Sequence, residues 1–391
     1  MFAASIMLEC CNFQKKAEIQ LGPRWPLDSG TLILTLGKDT TLFEQFTIRR
    51  DSIHSRIISL PGGLKVSDGN GILSKEGMLL SMATKVSTLS PAGTLQSDHE
   101  SNLISGPDST TVVFNKNGQT TVTHLPGNCY VINEADNTGF YLFPYWGFYE
   151  PATVGDSLKG NHLAFKGARV YTIKRTGKYN LRVGSNLEGY LTLAVDSAGR
   201  LDSINGIGSS LNIMGMVYRG LNFDSLVTAR IHHQQKYGIL PPATTKDSVL
   251  FRNGKLRMTV RYWSPSVRDR KIFGAVVPFN RVWRTGANAA TEMIVNRPVQ
   301  IYAQTLERGR YSIFTIPQPD LWIMIINRQA DIWGTDYDST YDVMRIPMKV
   351  DSLPDMVEKL KLNVVPFDSG GIFTIEWEKT RAAMMFKPAT P

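Results

Sequence analysis

The stretch GTLILTLGKDTTLFEQFTIRRDSIHSRIIS, residues 30–59, decides the fold class. Leu32, Leu34 and Leu36 recur at every second position, the period of a strand with one buried face. Gly37-Lys38-Asp39 then supplies turn chemistry, and the whole stretch reads as three short strands. The same grammar continues outward. TTVVFNKNGQTTVTHL, residues 110–125, sets β-branched alternation around Asn117-Gly118, the pair that supports a type I′ hairpin turn. GYLTLAVDSAGRLDSING, residues 189–206, turns at Asp196-Ser-Ala-Gly199. An up-and-down antiparallel sheet follows, and it must curl, close or be covered to bury one face. Residues 69–86, GNGILSKEGMLLSMATKV, fit either a helix weakened by Gly77 or a pair of strands.

Composition agrees with many short strands. Charged residues make up 20% of the 391, while Gly numbers 33 and Pro 20. Hydrophobic residues reach 42%, enough for a sizeable core. The net charge of +9 is spread along the chain without a Lys/Arg run, so it reads as a solubility feature, and nucleic acid is not an expected partner.

Three cysteines, Cys10, Cys11 and Cys129, give neither a disulfide framework nor metal-ligand spacing. Cys10 and Cys11 follow the apolar run FAASIML, which is too short to span a bilayer. The run reads as the end of a lipoprotein-type signal, with Cys10 or Cys11 as the lipidated residue. Glu9 stands where a small residue is expected, and no basic residue precedes the run. Residues 1–29 are therefore expected to be a signal and tether, and the protein to sit in a bacterial envelope, periplasmic or lipid-anchored. The alternative is a cytoplasmic tail. Any membrane contact would run through the anchor alone.

Residues 30–235 form the expected antiparallel domain. FYLFPYWGFYEP, residues 140–151, is dense in aromatics and reads as core or barrel plug ahead of a ligand platform. KYGILPPATTKD, residues 236–247, reads as a linker around Pro241-Pro242. From residue 248 to 391 strands resume as an expected jelly-roll-like β-sandwich. Leu256, Met258, Val260 and Tyr262 alternate with polar residues, as do Phe373, Ile375 and Trp377. GRYSIFTIP and LWIMIIN are apolar on both faces and suit central strands.

Several landmarks in this half carry a resemblance: YWSPSVRDRKIFG, VPFNRVWRTGANAAT, RGRYSIFTIP, WIMIIN, DIWGTDYDSTYDVMRI and FTIEWE. Residues of about 250–380 resemble the bacterial DUF2911 family, a domain of unknown function. The resemblance implies a compact β domain of exported proteins or lipoproteins and supplies no activity. Two departures stand out. Ala289 follows the asparagine of WRTGAN where the family often has Glu, and YWSP replaces a YSRP-like tetrapeptide. The N-terminal sheet is similar, in pattern only, to curved sheets of lipoprotein carriers.

All six histidines precede residue 234, so the C-terminal half lacks His and Cys chemistry and the usual zinc sites. No metal or cofactor is expected. Adjacent His232 and His233, placed on a strand, would point to opposite faces and not share an ion. Asp331, Asp336, Asp338 and Asp342 read as turn and cap residues ahead of a calcium loop.

The most distinctive motif is VPFNRVWRTGANAAT, residues 277–291. One reading is a bulged corner with Trp283 in the core and Arg284 paired internally, with Asp331 or Asp336 as candidates. The other is an anion pocket built from Arg284, Thr285 and Asn288, walled by Trp283 and Trp333. The expected function is a non-catalytic binding or structural module for an unidentified apolar ligand, glycan or protein partner in the envelope. The alternative is a carboxylate-dependent, glycosidase-like hydrolase near Arg284, using Asp331, Asp336 and Glu292.

Overall fold

A computed structural model describes residues 27–74, 79–106, 109–126, 157–164, 167–185 and 189–389. Cys10, Cys11, Cys129 and the aromatic run 140–151 lie outside the described residues.

The chain is all-β, built on two large antiparallel sheets. In the first, β1 (Asp28–Leu36), β2 (Asp39–Ile48), β3 (Ser52–Ser59), β4 (Lys65–Leu73), β5 (Leu79–Leu89), β6 (Leu95–Ser105), β7 (Ser109–Lys116) and β8 (Gln119–Pro126) form one meander. A second meander comprises β9 (Ser157–Ala164), β10 (Gly167–Gly177), β11 (Asn180–Ser185), β12 (Gly189–Val195), β13 (Leu201–Asn205) and β14 (Met214–Tyr218). The two join where β1 pairs with β14, placing Leu32 opposite Val217 and Leu34 opposite Gly215. The fourteen described strands curl until β10 comes against β8.

Alternation does what the opening stretch implied. Leu32, Leu34, Phe46, Ile48 and Ile53 share the inner face with Leu181, Val183, Leu191 and Leu193 of the other meander. The turns are also as read: Asn117 and Gly118 both have positive φ, and Asp196 accepts from the backbone N–H of Ala198 and Arg200. Within residues 69–86 the described parts resolve in favour of strands, β4 through Leu73 and β5 from Leu79, and the two pair with each other.

One element was not expected. Residues Phe223–Tyr237 form a helix, α1, against the outer face of β2 and β3. Asn222 caps it, its side-chain oxygen accepting from Ser225 N at 2.9 Å. Gly238, at φ 85°, ends it and donates to Gln234 O. Phe223, Leu226, Val227 and Ile231 cover Phe43, Ile58 and Leu60. His232 and His233 therefore lie on a helix, not on a strand, and His233 packs against Tyr237.

The second sheet has the order β15 (Thr244–Asn253), β16 (Leu256–Pro265), β17 (Thr291–Val295), β20 (Gly309–Ile316), β21 (Leu321–Asn327), β22 (Asp342–Phe367), β23 (Gly370–Pro388), β18 (Val299–Ile301), β19 (Gln304–Leu306). It folds over on itself. The Tyr262 hydroxyl accepts from Leu362 N, Ser264 Oγ donates to Leu360 O, and Val267 N donates to Glu358 O, seating β16 and the chain after it on β22. Met258, Val260, Met293, Ile313, Met324, Phe373 and Ile375 fill the space between. β20 and β21 are central, and their second face is buried too: Phe314 and Ile325 pack beneath Ile332 and Tyr337.

A clasp joins the two sheets. Arg268, only 6% exposed, donates to Asp39 Oδ2 at 2.6 Å and to the Pro241 carbonyl. Lys38 meets Asp269 at 2.6 Å on the surface beside it.

Candidate functional site

The WRTGAN corner is built by backbone first. Trp283 and Thr315 exchange both N–H···O bonds, at 2.7 and 2.8 Å, tying the corner to β20. Thr285 is fully buried in the left-handed region at φ 53°, a costly place for a β-branched residue. It is held there by bonds from its hydroxyl to Thr315 Oγ1 and from Thr291 Oγ1 to its carbonyl. Asn288 is also left-handed, at φ 55°. Gly286 is needed for a different reason: a Cβ there would sit 2.9 Å from the Trp263 carbonyl oxygen.

Side chains then follow. The Trp283 indole donates to Gly286 O at 3.0 Å and stacks on Trp377 at 5.9 Å between centroids, with planes 15° apart. Asn288 Nδ2 donates to Thr244 Oγ1, and its carbonyl accepts from Gly334 N at 3.0 Å. Arg284 lies across Gly334, where any Cβ would collide with its Cβ and Cδ. The bridge between Ala289 and Trp333 sets the second indole beside the corner.

This corner forms one wall of a cleft of about 840 Å³ between the two sheets. The opposite wall comes from the N-terminal sheet: Leu36, Leu42, Lys65 and the loop Gly208–Ile213. Four tryptophan or tyrosine side chains line it beside Trp283, namely Trp263, Trp333, Tyr337 and Trp377. So do four cations, Lys65, Arg270, Arg281 and Arg284. Among the described residues that line it there is no Asp or Glu. Arg270 donates to the carbonyls of Ser266 and Val267, and burial, then the neighbouring Arg268, draws its pKa below the usual arginine value. Arginine still stays protonated at neutral pH.

Of the residues expected from the sequence, Trp283, Arg284, Asn288 and Trp333 line the cleft, and Thr285 is buried behind its wall. Asp331 and Asp336 are exposed and do not line it. Glu292 is bound by Arg261 at 3.0 Å and Arg310 at 2.5 Å on the outer face of β17. Asp338 caps a 3-10 turn at Ser339–Tyr341, and Asp342 is held by Tyr337 and Arg345. Sequence reasoning missed Trp263, Trp377, Arg270, Arg281 and Thr335. Trp377 was visible only as one more core position on an alternating strand.

Residues 244–386 match the family described as "Protein of unknown function (DUF2911)". No curated protein matches the chain. Among solved structures, it is similar to the crystal structure of a DUF1089 family protein from Pseudomonas aeruginosa. That likeness is at 12% identity and a TM-score of 0.32, covering 42% of this chain and 89% of that one.

Proposed function

We propose that this chain, whose residues 244–386 carry a DUF2911 domain, is a non-catalytic binding module whose ligand site is the cleft between its two sheets. A single observation carries the reading. The cleft has the volume of a small-molecule site, indole and phenol walls, and cationic groups at one place. The hydrolase alternative needs two carboxyl groups facing one cleft. Its candidates are instead exposed or bound to arginines, and no acid lines the cleft among the described residues.

The FAASIML–Cys10-Cys11 segment adds the place of work: the bacterial envelope, with a lipid on one of the two cysteines. Native mass spectrometry of the protein purified gently from its membrane fraction tests both parts. The expected result is a lipid mass on the mature N-terminus and a retained small molecule. Ser210→Trp, which fills the cleft from the N-terminal sheet, should release that molecule. Saturable turnover of a glycan or ester substrate would overturn the non-catalytic reading. An unmodified N-terminus would overturn the anchor.

A further inference from the structure

We propose that the cleft recognises an oxyanion, a carboxylate or phosphate group carried on a ring-bearing small molecule, and that Trp377 and Thr335 hold hydrogen-bonding groups in reserve for it. The assignment rests on the reading of the cleft as a ligand site.

Buried polar side-chain atoms nearly always have a partner, and each exception calls for an explanation. Trp377 is 2% exposed and its Nε1 has no hydrogen-bond partner; Thr335 is 7% exposed and its Oγ1 has none. Both residues line the same cleft. The other unpaired side chains nearby in the fold, Ser312 and Thr374, do not line it. An indole N–H can only donate, so whatever satisfies it must be an acceptor.

Charge selects the kind of acceptor. Lys65, Arg270, Arg281 and Arg284 all border the space, without a described carboxylate among the lining residues. A ligand cation would be repelled, while an oxyanion is favoured by the positive charge lining a partly desolvated site. Arg281 is exposed and forms no ion pair or hydrogen bond among the described residues, so it can turn to a ligand without breaking a contact. Trp263 and Trp333 supply flat apolar surface for the body that carries the anion.

The test uses the full chain, with tryptophan fluorescence and calorimetry, and four probes. Glucuronate carries a carboxylate, glucose 6-phosphate a phosphate, glucose the neutral ring, and inorganic phosphate the anion alone. One or both charged sugars should bind at least tenfold more tightly than glucose, and added salt should weaken them. Which of the two binds better separates carboxylate from phosphate. Thr335→Val and Trp377→Phe should each weaken that binding about tenfold, since each removes one bond to a charged group. Thr335→Val keeps volume and deletes an unpaired group, so it should not lower the melting temperature of the free protein. A purely structural hydroxyl would show the opposite pattern. Arg281→Ala should weaken binding several-fold and leave the fold intact. Glucose binding as tightly as its charged relatives, with Thr335→Val neutral, would overturn the oxyanion assignment and leave the ligand site standing. Inorganic phosphate binding as tightly as glucose 6-phosphate would overturn the ring. Failure of all four probes at millimolar concentration would overturn the whole inference.

Discussion

Two tyrosines and one glycine show how single residues bear on this molecule. Tyr262 donates to Asp247 and accepts from Leu362 N, and burial, with Asp247 adding to it, pushes its hydroxyl up to about 12. Tyr337 is likewise pushed up to about 12, by burial first and then by Asp342. A raised folded-state pKa means the folded chain holds its proton longer than the unfolded one. The stabilisation is therefore complete below the unfolded value near 10 and is lost as pH rises from there through about 12. Stability should fall steeply over that window, by about 2 kcal/mol for buried Tyr262. Tyr262→Phe should flatten the fall, as read by denaturant melts along an alkaline pH series. Gly334 matters by close approach. Its missing Cβ leaves the space that Arg284 occupies, so Gly334→Ala should displace that guanidinium. Ligand binding in the cleft should drop while the circular dichroism of the sheets persists.

Among the elements, the strands were legible and the helix was not read. Period-two alternation and turn residues act between near neighbours, so β1–β3, the Asn117-Gly118 hairpin and the Asp196 turn follow from the local chain. α1 carried real signals in Asn222, Asp224 and Gly238. Its apolar face is narrow, however, and sits in a region dominated by strand patterns. Most of its stability comes from packing on Phe43 and Ile58, which the sequence does not announce. Asn222→Ala should cost about 1 kcal/mol in equilibrium denaturation, by leaving the first-turn N–H groups unmet. A change below a few tenths would mean that packing alone holds the helix.

For the whole molecule, a clasp joins the two sheets that wall the cleft. Arg268 reaches Asp39 and the Pro241 carbonyl from a left-handed turn, with Asp269 left-handed beside it. Gly37 lies so close to the Arg268 carbonyl that any side chain there would strike it. Arg268→Met should cost about 2 kcal/mol, because Asp39 loses a buried partner. Gly37→Ala should act in the same direction. Both variants should weaken binding in the cleft, although neither residue lines it. Unchanged ligand affinity in a destabilised Arg268→Met would show that the clasp serves stability alone.

The sequence by itself determined the all-β class, the turns, the central strands and the likeness to the DUF2911 family. The first three rest on neighbours a few positions apart, where backbone sterics and side-chain alternation act directly, and the likeness rests on motifs spread over residues of about 250–380. Its two distinctive motifs also marked Trp283, Arg284, Thr285, Asn288, Trp333, Asp331 and Asp336 as one candidate group. Only the tertiary structure decided what they face. Trp377 stacks on Trp283, Tyr262 is bound by Leu362, and Arg268 pairs with Asp39, all across separations that leave no local trace. Cleft charge is a sum over residues from both sheets, so the lack of acids among the described lining residues and the two unpaired buried groups appear only once the sheets are brought together.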